Sequence, residues 1–413
     1  MKAVLISDIH FGKFSRTIEL SFPGCPIDDE NSGAVSLVDG LIDIIKSEKA
    51  KYILVAGDLT SVANPLEYYY FEKAMLQIAS KANISIENVI CVTGNHDIDR
   101  NISKISETLA KEDMGDECTK ILEDQYQKIA ACSSVINMRS LQIPQNGLAP
   151  FSGIIEREDL LLFAINTAWK CSPSQEYAHG MLTLTQLDWL EESLKKYDND
   201  NRTKILLLHH HPIKYSYPSP SEDISLIQES SELLDIAGKY GVNLIMHGHR
   251  HHPRAQTTRQ DNWRHPISFI CAGSLSVNAK HRNNGEIPNT AHIVDFQNAP
   301  DAFLLKTYEY SASTGWHLLS HSRPEAPLDA EVWLGKIFDE DVLLAAVQEC
   351  VDSIKSPVAI FQYSQLPECL HFIRYSELNK KFRNSVPDGF IINGLFPEDV
   401  SIISTEAIKN ANS

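Results

Sequence analysis

Val92-Thr93-Gly94-Asn95-His96-Asp97 closes an apolar run that starts at Ile86. An apolar run that ends in Gly and passes at once to amide, imidazole and carboxylate side chains reads as a buried strand delivering metal-type ligands to its carboxyl end. Working outward, the same event recurs four more times. Asp8 and His10 follow Ala3-Val4-Leu5-Ile6, and Asp58 follows Ile53-Leu54-Val55-Ala56-Gly57. His210 follows Ile205-Leu206-Leu207-Leu208, and His249 and His251 follow Leu244-Ile245-Met246. Five strands therefore aim carboxylate, amide and imidazole at one crevice.

The segments between these strands carry helical periodicity. Val35, Val38, Ile42 and Ile45 recur at helical spacing, and Pro65 suits the first position of a second helix running to about Lys81. Its Tyr68-Tyr69-Tyr70-Phe71 run is read as packing surface. Leu160 to Ile165 is a further strand, and Thr185 is placed as the N-cap of a helix with Leu187, Leu190 and Leu194 on its apolar face. Another helix is expected from about Ser225 to Tyr240. Ile267 to Ala272, His292 to Phe296 and Phe303 to Tyr310 follow as strands without intervening helices, which suggests a second sheet packed on the first. The class is α/β and layered. Residues 102 to 138 are polar and helix-prone, placed either as a wall of the crevice or as a solvated connection. Pro324 and Pro327 mark a linker, so residues 1–323 form the main domain and 324–413 a C-terminal accessory segment, opening with a helix from about Asp329 to Ile354.

Composition narrows the setting. A chain of 413 residues exceeds the usual single-domain size, in keeping with a large domain plus a small one. No apolar run approaches the ~20 residues that cross a bilayer, so no membrane partner is expected. The first strand opens at Lys2 and Asp8 already belongs to the crevice, which leaves no place for a cleaved signal peptide. The eight cysteines are scattered without a Cys-x-x-Cys pair, which favours a reduced, cytoplasmic protein. With 37 Lys and Arg against 54 Asp and Glu, the formal net charge of −17 argues against indiscriminate binding to polyanions.

The ordered set is Asp8-x-His10, Gly57-Asp58, Gly94-Asn95-His96-Asp97, His210-x-Pro212 and Gly248-His249-x-His251. Each piece alone is weak, since Gly-Asp pairs are commonly turns and lone strand-end histidines commonly structural. Together they offer Asp8, His10, Asp58, Asn95, His210, His249 and His251 as donors. A catalytic ion keeps an open position, so this set suits two ions sharing a carboxylate. Nitrogen and oxygen donors without thiolate point to Mn, Fe, Zn or similar divalent ions. Two such ions ~3.5–4 Å apart can hold a bridging hydroxide and clamp the attacking and leaving oxygens of an in-line displacement at phosphorus.

Over about residues 1 to 310 the set resembles the calcineurin-like metallophosphoesterase superfamily, in order and with no element missing. Gly180-x-Leu182, Gln186-Leu187-Asp188-Trp189-Leu190 and Ala272-Gly273-Ser274 are similar to segments of its cyclic-nucleotide phosphodiesterase branch. The resemblance implies a four-layer α/β/β/α sandwich with two mixed sheets, here followed by a small C-terminal α+β extension. It also implies that Asp8, His10 and His251 hold one ion, that Asn95, His210 and His249 hold the other, and that Asp58 bridges. His96 would be the catalytic group that stabilises developing charge or protonates the leaving group, oriented by Asp97. The family ligand stands two residues before Pro, which selects His210 from His209-His210-His211; strand alternation would turn His209 and His211 away or behind. His247 is read as structural or supporting; His179 is either a surface histidine or a contact to substrate phosphate, and Arg250 is likewise a candidate substrate contact.

Gly57-Asp58 continues Leu59-Thr60-Ser61, without the Asp-Arg-Gly of the related protein phosphatases. The expected substrate is a cyclic nucleotide or another small diester rather than nucleic acid. A nuclease similar to double-strand-break repair exonucleases is the alternative, and a metal-free scaffold the non-enzymatic one. Residues 324–413 are expected to pack on the catalytic domain, with self-association or docking of a protein partner as the alternatives.

Overall fold

The computed structural model describes residues 1–30, 35–99, 152–158, 160–168, 180–215, 225–320 and 327–406, with 408 and scattered positions between 101 and 124. Strands β1 (Lys2–Ile6), β2 (Tyr52–Ala56) and β3 (Val89–Val92) pair in parallel, joined by helices α1 (Leu37–Glu48) and α2 (Pro65–Lys81). Every residue of β2 and β3 is buried, as a parallel sheet covered on both faces requires.

The second sheet has parallel strands β5 (Leu160–Ala164), β6 (Thr203–Leu207), β7 (Leu244–His247) and β9 (Ile267–Cys271). Antiparallel β4 (Gly153–Glu156) and β8 (Arg254–Thr258) close its edges. Antiparallel β10 (Asn289–Asp295), β11 (Phe303–Ser311), β12 (Gly315–Leu318) and β13 (Glu331–Leu334) extend the first sheet on the β1 side, in the order β12-β11-β10-β1-β2-β3 with β13 also on β11. Both sheets are mixed. These late strands join the first sheet rather than forming the second, because the β1 edge is open and β10 pairs Lys2 to Leu5.

Side-chain alternation shows how the sheets meet. Leu160, Leu162 and Ala164 of β5 share one apolar cluster with β1, β2 and β3. Leu161 and Phe163 point the other way, into a cluster with Leu187, Leu190 and Leu194 of α3 (Leu184–Lys196) and Leu233 and Ala237 of α4 (Ser230–Lys239). Helix starts follow local chemistry. Asn64 and Glu67 form a capping box with Pro65 at the first position of α2. For α3 the cap is Thr183 rather than Thr185, since Gln186 three residues on can return a hydrogen bond to the Thr183 N–H at 3.0 Å.

The predicted helix from Asp329 does not form as one piece. Glu331–Leu334 is strand β13, paired in register with Leu305 and Lys306, and helix α5 begins only at Glu340. The first sheet thus reaches past the expected boundary at 323. Beyond it, α5 (Glu340–Asp352), α6 (Tyr375–Ser385) and a sheet of β14 (Val358–Phe361), β16 (Val400–Ser404) and β15 (Phe390–Asn393) enclose a separate cluster around Val347, Leu378 and Phe382. Most of 102–138 lies outside the described residues.

Candidate metal centre

The crevice is assembled at the carboxyl ends of strands from both sheets. β1 leads to Asp8 and His10, β2 to Asp58, β3 to Asn95 and His96, β6 to His209 and His210, and β7 to His249 and His251. The chain turns sharply at these points: Asp8, His10, Asp58, His249 and His251 all have positive φ, between 48° and 72°. For residues other than Gly such backbone costs ~1–3 kcal/mol each, and it concentrates where function holds it in place. Close packing enforces the same geometry, since a Cβ at Gly94 would strike the Asp58 carboxylate and backbone, and one at Gly248 would strike Ser7 and Asp8.

One donor group is Asp8, His10, Asp58 and His251, whose ligand atoms all lie within 4.8 Å of one another. His10 Nε2 and His251 Nε2 face each other at 3.2 Å, and His251 Nε2 is 3.1 Å from Asp8 Oδ1. The tautomer follows from the far side of the ring. His251 Nδ1 sits 2.8 Å from the His281 carbonyl, which only accepts, so Nδ1 carries the proton and the neutral ring turns an Nε2 lone pair inward. Asp8 Oδ1 and His10 Nδ1 are buried and make no hydrogen bond. Buried acceptors facing one another, with a carboxylate oxygen left unbonded, fit a divalent cation.

The second group holds His209, His210 and His249. Here the structure corrects the sequence reading: His209 does not turn away. Its Nδ1 is 2.8 Å from the Ala56 carbonyl, fixing the proton there. Its Nε2 lies 3.1 Å from Asn95 Oδ1, 3.3 Å from Asp58 Oδ2 and 3.2 Å from His249 Nδ1. His249 Nδ1 is 2.9 Å from the same Asn95 oxygen. His210, also in the group, lies with Nδ1 2.9 Å from Thr167 Oγ1. The reason is that the chain leaves β6 at Leu207, so side-chain alternation no longer governs residues 209 to 211. The His-His-His run was the signal for His209; nothing in the sequence singled out Thr167.

Asp58 stands between the groups. Its Oδ2 is 3.6 Å from His10 Nε2 and 3.3 Å from His209 Nε2, while Oδ1 accepts the His96 N–H at 2.8 Å. Burial opposes its ionisation, but His209 and His96 hold its pKa well below the usual carboxylate value. Burial likewise acts against a charged His209, yet the Asp58 carboxylate outweighs it and raises the pKa to about 9. For His10 burial wins, aided by His96, and the pKa falls well below that of free imidazole.

His96 flanks the first group, its ring centroid 4.6 Å from that of His10. A second correction concerns what orients it. His96 Nδ1 donates to the Ser61 carbonyl at 2.8 Å, leaving Nε2 as the working nitrogen. Asp97 is fully buried instead, and its oxygens accept the N–H groups of Gly94, Leu59 and Thr60 and the Thr60 hydroxyl. It fixes the turn that carries Asn95 and His96. Burial, and then Asp58, raise the Asp97 pKa to about 7. His247 is buried with Nε2 2.6 Å from the Tyr215 hydroxyl, behind the ligand loop. Arg250 is half-buried beside the two loop histidines, and His179 lies outside the described residues.

The calcineurin-like phosphoesterase profile matches residues 1–253. The chain belongs to that family. That family is one of metal-dependent phosphoesterases. A stretch of 74 residues is 38% identical to a 3′,5′-cyclic-nucleotide phosphodiesterase from Nostoc sp., covering 18% of this chain and 26% of that protein. Among solved structures, a dimetal phosphatase from Danio rerio is similar at 11% identity and a TM-score of 0.44, over 74% of this chain and 95% of that one. A purple acid phosphatase from yellow lupin seeds is similar at 13% identity and a TM-score of 0.48, over 82% and 54%. Among the described residues, no helix is long and apolar enough to cross a membrane.

Proposed function

We propose that the chain is a dinuclear phosphodiesterase acting on a small diester, such as a cyclic nucleotide. The observation that carries this reading is the position of Asp58 Oδ2, within 3.6 Å of an imidazole nitrogen from each donor group. In this reading Asp8, His10 and His251 would hold one divalent ion, Asn95, His209 and His249 the other, and Asp58 would serve both, with Mn, Fe or Zn as the fitting metals. His210, also in the second donor group, would support that site, its ring steadied by Thr167. When bound, the two ions supply Lewis acidity at phosphorus and a water acidic enough to attack near neutral pH.

The residues of the chain do the rest. His251 and His209 are locked as Nε2 bases by the carbonyls of His281 and Ala56. His96 keeps its Nδ1 proton on the Ser61 carbonyl and presents Nε2 to the leaving oxygen; as the imidazolium it gives its Nε2 proton to that oxygen and is left as the neutral Nδ1–H ring. The 38% identical stretch shared with a cyclic-nucleotide phosphodiesterase supports a diester over a monoester.

The test is hydrolysis by metal-stripped protein reloaded with manganese. Substrates are bis-p-nitrophenyl phosphate, 2′,3′- and 3′,5′-cyclic nucleotides, and single- and double-stranded DNA. Turnover of the small diesters is expected; cleavage confined to DNA would replace this reading with a nuclease.

A further inference from the structure

A cavity of about 210 Å³ opens directly beside His96, lined by Phe14, Ser61, Val62, Ile98, Asp99 and Asn101. Its walls are chemically sorted. Phe14, Val62 and Ile98 supply apolar surface, and Ser61, His96, Asp99 and Asn101 supply polar groups. A slot this small is below the usual size of a whole drug-like ligand site, ~300–1,000 Å³, and suits one part of a substrate.

Phe14 is held before any ligand arrives. Its N–H donates to Ser61 Oγ at 2.9 Å and its carbonyl accepts from the Asn278 N–H at 2.9 Å. Its ring meets His96 edge-on at 5.8 Å between centroids and is braced by His281 at 4.9 Å. Ordering the ring in advance removes an entropy cost from binding. The nitrogen of His96 that would protonate a leaving oxygen therefore works next to an immobilised aromatic ring and two branched aliphatic side chains.

The geometry points to this slot as the seat of the leaving-group side of the diester. We infer that it selects a flat ring with polar edges, such as a nucleobase carried on the departing alcohol. Phe14 is then the specificity-determining residue, and Asp99 and Asn101 meet the ring's hydrogen-bonding edge. This rests on the proposed reaction, in which His96 faces the leaving oxygen.

The experiment compares Phe14→Ala, Phe14→Leu and Phe14→Tyr on a 3′,5′-cyclic nucleotide and on a ring-free glycerophosphodiester. Leu keeps most of the bulk without the ring. The ratio of kcat/KM between the two substrates should fall about tenfold in the Ala and Leu variants, carried by KM, and return in Tyr; a tenfold change corresponds to ~1.4 kcal/mol. Equal losses on both substrates would mean that Phe14 only supports His96, and no loss would mean the slot is unused; either overturns the inference. A second readout is independent of turnover. Saturation transfer from metal-free wild-type protein to the adenine protons of adenosine monophosphate should be seen and should vanish in Phe14→Ala. Ring contact without hydrolysis of any diester would refute the proposed reaction and leave the slot standing. Contact that is missing in wild type, or that survives in Phe14→Ala, overturns the slot.

Discussion

The two donor groups of the crevice are built by different means. In the first, Asp8, His10, Asp58 and His251 all sit in the left-handed region, with φ of 49°, 48°, 50° and 54°. In the second, His209 and His210 follow the end of β6 with no positive φ, and only His249 is left-handed, at 72°. Backbone shape dictates which side chains face inward in the first group. In the second, ring orientation decides, through the carbonyl of Ala56 and the hydroxyl of Thr167. The first group is also richer in charge, with two carboxylates among four donors; the second borrows Asp58.

The largest break in that comparison comes from Asp58→Ala, which removes the donor common to both groups. Metal content of the folded variant should drop from about two equivalents to one or fewer, and kcat should fall at least about 10³-fold, more than a lost single stabilising contact of ~10²–10³. Elemental analysis beside steady-state kinetics reads both. A folded variant retaining both metals and near-normal turnover would separate the groups and end the shared-carboxylate reading.

A sharper cut falls between neighbours. His209→Ala should lose the second equivalent of metal and about 10²-fold in activity. His210→Ala should keep both equivalents and lose about tenfold or less, in the range found for residues around a metal site. Metal titration of each variant is the measurement. The opposite ranking would restore the assignment that counts two residues back from Pro212.

How much of this was legible in the sequence follows the same division. The α/β class, the strand ends and the members of the first group could be read because apolar runs ending in Asp-x-His, Gly-Asp and Gly-His-x-His tie residue type to a forced turn. Three adjacent histidines carry no such tie, so His209 was hidden: its place depends on where β6 stops pairing, which is a tertiary fact. Asp97 was misread for a related reason. The family resemblance made it the residue that orients His96, but the tight turn after Gly94 folds its carboxylate back onto the N–H groups of Leu59, Thr60 and Gly94. Strand β13 escaped because Glu331 to Leu334 reads equally well as the start of a helix; its strand form comes from pairing with β11, far away in sequence.

The smallest effect separates the crevice histidines from one that is merely buried. His292 is fully buried on β10, with Nε2 2.8 Å from the Ala272 carbonyl and Nδ1 3.0 Å from the Thr307 hydroxyl. The carbonyl accepts, so Nε2 donates and Nδ1 accepts from Thr307; the ring is neutral as it stands. With no carboxylate to offset it, burial lowers its pKa to about 4, although the Ala272 carbonyl pulls the other way. His209, equally buried, is driven in the opposite direction by Asp58. The sign for His292 is then fixed. The unfolded chain takes up the proton near pH ~6.5 and the folded one only near pH 4, so the stability from the neutral ring is complete above ~6.5 and is lost as pH falls toward 4. Between pH 7 and pH 5 that loss is about 2 kcal/mol. Denaturant unfolding of metal-free protein at the two pH values should show it, and His292→Gln, which cannot take up the proton, should be less stable at pH 7 but flatter by about that amount. If the wild type and the Gln variant lose the same stability on acidification, burial is not what keeps His292 neutral, and the contrast with His209 loses its physical basis.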